Sequence, residues 1–180
     1  MVRVSTTTGG GPESPGFERY SLGTVLVSNG VAWAIYGIGA FIMAQHGAVS
    51  ALVYLACCIW VEFRVLTKSC RNCWYYGRRC GFGKGKVCAL LFPKGDPADF
   101  LRKDITLWDI VPDFAVGLLP VVAGAVLLVR GFSWTLLGLG LLLLFLTTAG
   151  NAFVRRVLVC RHCRQRELGC PAQKLFEQRR

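Results

Sequence analysis

Residues 20–61 contain no Asp, Glu, Lys or Arg. About 20 such residues in a helix already cross the roughly 30 Å hydrocarbon core of a bilayer, so an uncharged run twice that long predicts two spans joined by a turn. The turn falls in AQHGAV, around Gln45, His46 and Gly47, where polar residues and a glycine interrupt the apolar sequence. A second pair follows, with 114–129 as the shorter span, 131–154 as the longer, and VRGFSW around Arg130 between them. The predicted fold class is an all-α integral membrane protein with four transmembrane helices. Composition agrees: 53% of residues are hydrophobic and 17% charged, against roughly a quarter charged in water-soluble domains.

Basic residues predict the orientation, because loops retained in the cytoplasm collect Lys and Arg. Ten lie between 62 and 110 and eight beyond 154, whereas the opposite turns hold one, Arg130. Both termini are therefore expected in the cytoplasm. STTTGGGPESPG, near the N-terminus, is polar and Gly/Pro-rich and lacks the basic start and apolar run of a cleaved signal peptide; it reads as a flexible tail. The net charge of +11 is explained by basic flanks beside anionic lipid headgroups, worth about 1 kcal/mol per residue near the surface. Membrane lipids are thus expected partners, and nucleic acid is not, because the basic surface would lie against the bilayer.

The segments CRNCWYYGRRC (70–80) and CRHCRQRELGC (160–170) both read C-x2-C-x6-C with Arg after the first cysteine, ninety residues apart. The same shift superposes Phe63 on Phe153 and the second span of each pair on its counterpart. Self-similarity at a fixed offset marks a duplicated unit, and an even number of spans per unit makes the repeats parallel. The chain then divides into a tail (1–20), a first repeat of two spans and a motif (21–90), a linker with an interfacial helix (91–110), and a second repeat with its motif and a basic tail (111–180). Small residues are expected to close the bundle: Gly30, Ala34, Gly37 and Gly39 in the first span, and Gly138, Gly140 and Gly150 in the fourth. Asn29 and Asn151 are read as interhelical hydrogen-bonding groups, and Pro120 as a kink in the third span.

In a reducing compartment, spaced cysteines indicate metal more often than disulfides. A C-x2-C pair lets two thiolates bind one ion from a tight turn, so Cys70, Cys73, Cys80, Cys160, Cys163 and Cys170 are the candidate metal ligands. Four of them, Cys70, Cys73, Cys160 and Cys163, would close one tetrahedral zinc site. All six would hold two zinc ions if one cysteine from each motif bridged. The second arrangement resembles the binuclear zinc cluster of fungal transcription factors, which also pairs two C-x2-C-x6-C motifs about a pseudo-twofold axis. The resemblance covers the 22 motif residues only; it implies Cys70 and Cys160 as the bridging pair, and DNA binding does not carry over across the two spans that separate the halves here. Competing readings are an iron-sulfur cluster and redox thiols activated by Arg71 and Arg161. Cys57 and Cys58, inside the second span, are expected to be packing residues. His162 reads as an exposed basic residue, and Cys88 as a remote seventh ligand.

GFGKGK (81–86) lacks the frame of a phosphate loop and reads as a flexible basic turn. GDPADFLRKDITLWDIVPD predicts an interfacial helix, with Phe100, Leu101, Ile105, Leu107, Trp108 and Val111 on its apolar side. Glu62, Asp109 and Asp113 fall at one membrane level, where they could bind a cation or relay protons, or simply complement a helix dipole and nearby arginines. Three functional readings result. The first is a non-enzymatic scaffold or accessory subunit with a zinc site and the aromatic, basic WYYGRR surface, serving a protein or lipid partner. The second is a small transporter, with Asn29 and Asn151 also on its path and a homodimer supplying the pathway. The third is a membrane redox or lipid-modifying enzyme using the cysteines.

Overall fold

A computed structural model describes residues 16–102 and 106–170. Among them the regular elements are helices: α1 (Leu22–Ala44), α2 (Ala48–Lys68), α3 (Lys84–Leu91), α4 (Pro97–Arg102), α5 (Leu107–Arg130) and α6 (Trp134–Phe145). The helix that begins as α6 continues through π-helical segments, Leu146–Gly150 and Val154–Val159, to the second cysteine motif. Ser21 caps α1, its Oγ accepting the Thr24 backbone N–H at 3.2 Å. Gly47, at φ +131°, lets the chain reverse between α1 and α2.

Four helices are long and apolar enough to cross a membrane. Their outward faces carry large apolar groups, Trp33, Leu52, Ile59, Val122 and Phe145 all being more than half exposed. Such a surface suits lipid and is poorly suited to water. The helix α1 packs on α2, α5 and α6, and α5 packs on α1, α2 and α6, so α1 and α5 form the close diagonal of the bundle.

The third span differs from its expected form. Its helix starts at Leu107, seven residues before 114, and the stretch apolar enough to span begins at Val111, so Leu107 and Trp108 continue into that helix instead of forming a separate interfacial one. Asp109 fixes this start by accepting the Thr106 N–H at 3.3 Å and the Thr106 hydroxyl at 2.9 Å. The remainder of the expected interfacial helix is α4; Ile105 lies outside the described residues, as does the basic tail from 171 onward.

Pro120 lies within α5, which continues through it. A proline in a helix leaves the carbonyl four residues earlier without its intrahelical donor, here that of Val116. The Tyr54 hydroxyl, on α2, donates to the Val116 carbonyl at 3.0 Å. In hydrocarbon an unsatisfied carbonyl has no water to turn to, so this interhelical bond replaces the missing one. The site is tight: a Cβ at Gly39 would collide with the Tyr54 hydroxyl and come within 3.0 Å of Pro120 Cγ.

Gly39 therefore has the close-packing role expected of it, and Gly117, whose added Cβ would strike the Thr147 methyl, has one too. Gly30, Gly37, Gly138 and Gly140 face open space within 4 Å. Their small size does not serve helix contact in this bundle.

Candidate functional site: the cysteine cap

Both C-x2-C-x6-C motifs lie at the end of the bundle where α2 and the fourth helix finish, and they begin with the same local structure. Each helix is stopped by a residue outside ideal helical geometry, Ser69 at φ −120°, ψ −51° and Val159 at φ −110°, ψ −64°. A single 3-10 turn follows, Cys70–Asn72 in one motif and Cys160–His162 in the other. The Cys73 N–H donates to Cys70 O at 3.3 Å and the Cys163 N–H to Cys160 O at 3.4 Å; Tyr76 N–H then bonds Cys73 O at 3.0 Å and Arg166 N–H bonds Cys163 O at 2.9 Å. A 3-10 turn stacks residue i+3 over residue i, the geometry a C-x2-C pair needs to present two sulfurs together. Beyond this point the motifs diverge. The first turns at Gly77 (φ +72°), and the second forms a short helical turn, Arg164–Glu167.

The motifs meet through buried polar contacts. The Gln165 side chain, 5% exposed, accepts the Trp74 backbone N–H at 2.8 Å and the Cys73 thiol at 3.7 Å. Two guanidiniums lie over the Trp74 ring, Arg78 of its own motif at 4.3 Å and Arg164 of the other at 5.2 Å. Tyr75 is buried, donates to Phe17 O at 2.5 Å and accepts the Arg164 N–H at 3.1 Å, while Tyr76 donates to Phe92 O at 2.8 Å. Within WYYGRR, Tyr75 is thus committed to internal packing, Trp74 and Tyr76 are half-buried, and Arg78 stays exposed.

Residues 16–20, placed in the tail by sequence, run between the motifs. Phe17 N–H donates to His162 O at 2.9 Å and Tyr20 N–H to Arg79 O at 3.1 Å. The buried Tyr20 hydroxyl donates to Val159 O at 2.6 Å, and Gly16 N–H to Glu167 Oε1 at 2.6 Å. His162 stacks on Phe17 with centroids 4.7 Å apart; it is half-buried, with a buried Nδ1 that has no hydrogen-bond partner, and is not the exposed base expected.

All six motif cysteines fall in this cap. Cys73 has Cys163, Cys80 and Cys170 as electrostatic neighbours; Cys70 has Cys80, Cys73 and Cys88; Cys160 has Cys170. The field that reaches across the motifs thus acts on Cys73, from Cys163 and Cys170, while the resemblance implies Cys70 and Cys160 at the centre. Among the described residues no three Cys, His, Asp or Glu side chains stand in ligating range of one point. Burial pushes the Cys73 thiol up to about 12. It pushes Cys163 up to about 11, against backbone N–H groups of Gln165 and Arg166 that lower it. Both shifts are opposite to that of an activated redox thiol. Cys88 is fully buried, its thiol donating to Leu66 O at 3.5 Å. In the second span Cys58 is buried against Tyr54, Val61 and Val116, and Cys57 is exposed.

The GFGKGK stretch is a packed plug, contrary to the flexible turn expected. Gly83 adopts φ +70°, and the Phe82 carbonyl accepts from Asn29 Nδ2 at 3.3 Å. Gly85 sits so close to the Tyr75 and Arg78 carbonyls that a Cβ would overlap them. This plug carries Lys84 to Glu62, at 2.5 Å, and Glu62 also accepts from the Tyr36 hydroxyl at 2.7 Å. Asp109 pairs with Arg64 at 2.9 Å, and Asp113 has Arg155, Arg64 and Lys84 around it. Each of the three acids thus has basic neighbours. Asn151 accepts from Arg155 on its own helix at 3.1 Å, and Asn29 holds the plug, so neither asparagine makes the expected bond between spans.

One feature missed in the sequence is the exposed apolar edge of α3, Val87, Leu90 and Leu91. Its i, i+3, i+4 spacing was the available signal. The chain matches no known protein family, no characterised protein and no solved structure.

Proposed function

We propose that this chain is a non-enzymatic membrane scaffold or accessory subunit, in which two duplicated helical hairpins are clamped at one end by a structural cysteine-zinc site. The observation that carries the reading is the cross-motif contact of the Cys73 thiol with Gln165 Oε1 at 3.7 Å, between two motifs that begin with the same 3-10 turn. Packing supports duplication, because exchanging α1 with α5 and α2 with the fourth helix reproduces the same set of helix contacts.

Zinc fits the donor set better than redox chemistry does. The burial that raises Cys73 and Cys163 runs against an activated redox thiol, whereas zinc displaces thiol protons and holds thiolates directly. A four- or six-cysteine site carries a formal charge of −2 with one or two zinc ions, and Lys84 near Cys70 and Arg155 and Arg166 near Cys160 complement it. When bound, zinc would cross-link segments too small to hold a core of their own. Cys70, Cys73, Cys80, Cys160, Cys163 and Cys170 are the proposed ligands, with both termini and this cap in the cytoplasm and the apolar edge of α3 against the bilayer.

The transporter reading has less support, because Glu62 and Asp109 are ion-paired with Lys84 and Arg64 and Asp113 lies in the field of Arg155, Arg64 and Lys84. The test is metal content. Purified protein should carry about two zinc per chain for the binuclear arrangement or one for the mononuclear, and Cys73→Ser should lower it. Protein free of zinc, or carrying iron with visible absorption, would overturn the proposal.

A further inference from the structure

A groove of about 480 Å³ opens beside the C-terminal end of α2, between that helix and the start of α4. Lys68 and Arg71 line it together with Asp96 and Asp99. None of these four is in an ion pair with another described residue, although they share one small depression. Asp96 uses one carboxylate oxygen to accept the Ala98 N–H at 2.8 Å, which leaves most of its acceptor capacity free. Arg71 Nε is buried and has no hydrogen-bond partner. The floor is held by Gly95, whose N–H donates to Arg71 O at 3.0 Å and where a Cβ would run into the Asn72 side-chain oxygen.

Two unpaired cations next to two unpaired anions are what a compact zwitterion would match. Lys68 is the last residue of α2, and the candidate span runs on to Asn72, so the groove lies at headgroup level once α2 is in a bilayer. We infer that this groove binds the headgroup of an aminophospholipid of the phosphatidylethanolamine type. Its phosphate would sit on Lys68 and Arg71, and its primary ammonium on Asp96 and Asp99. An ammonium supplies three N–H donors to carboxylates; the trimethylated headgroup of phosphatidylcholine supplies none, and the phosphatidylglycerol headgroup brings no cation at all. The inference rests on the bilayer placement of the helices and is independent of zinc.

The experiment is native mass spectrometry of the full chain in detergent, with equimolar dioleoyl phosphatidylethanolamine, phosphatidylcholine and phosphatidylglycerol. The ethanolamine lipid should be retained about fivefold over the choline lipid, the size of two charge-assisted contacts to the exposed Asp96 and Asp99. Asp96→Asn combined with Asp99→Asn should erase that preference, and Lys68→Gln should weaken retention of all three lipids. Zinc content, measured on the same samples, should stay constant. Soluble phosphoethanolamine at equal concentration should not displace the lipid; displacement would overturn the lipid assignment. Equal retention of the ethanolamine and choline lipids by the wild-type protein would refute the site, whether or not the variants fold.

Discussion

Removing the hydroxyl of Tyr54 isolates the bond that replaces the one Pro120 forbids. Tyr54 is 2% exposed and donates to the Val116 carbonyl at 3.0 Å. In Tyr54→Phe that carbonyl keeps neither its helical donor nor a substitute. A buried polar group left unsatisfied costs about 1–3 kcal/mol; interhelical hydrogen bonds within membranes measure lower, about 0.6 kcal/mol on average and about 1.7 at most. The expected loss is therefore about 1–2 kcal/mol. Pro120→Ala restores an N–H at position 120, so the α5 backbone can satisfy Val116 unaided. In that background the Tyr54→Phe penalty should shrink by about 1 kcal/mol, and the packing lost with the proline ring cancels in the double-mutant cycle. Equilibrium unfolding in mixed dodecyl maltoside and SDS micelles reads all four stabilities. Equal Tyr54→Phe penalties with and without Pro120 would show that the hydroxyl does not stand in for the missing helical bond.

Gly85→Ala should disrupt the plug, since its Cβ meets the Tyr75 and Arg78 carbonyls and backbone cannot yield as a side chain can. A loss of about 1–3 kcal/mol should expose the fully buried Cys88 to maleimide labelling under native conditions, whereas Gly30→Ala, with open space around it, should leave labelling unchanged. Orientation is tested by Gly131→Cys in the exposed turn after α5. A membrane-impermeant maleimide should label this variant in intact cells and spare the wild type; labelling only after lysis would reverse the assignment.

The four long apolar helices were legible because long uncharged runs leave few alternatives. Charge is excluded over 20–61, and only the turn at Gln45–Gly47 interrupts the apolar run, so α1 and α2 lie where they were expected. The start of α5 was harder to read, because the contacts that fix it, Asp109 to Thr106 and to Arg64, join a local cap to a residue 45 positions away. The cysteine spacing pointed to two related motifs. It said nothing of Gln165, Tyr20 or Tyr75, which tie this cap together across 91, 139 and 89 residues. GFGKGK looked flexible because glycine loosens an isolated chain; here the same glycines let the backbone approach Val25, Val159 and the Tyr75 carbonyl closely. Both errors have one cause, since a residue's neighbours from distant segments decide whether a polar or small side chain is free or committed.

The most direct test of the account is anomalous diffraction at the zinc edge from crystals of the purified chain. The account predicts one or two peaks in the cap, each within about 2.3 Å of sulfurs drawn from both motifs, with Cys73 and Cys163 among them. No peak, or a peak held by the cysteines of one motif alone, would contradict it.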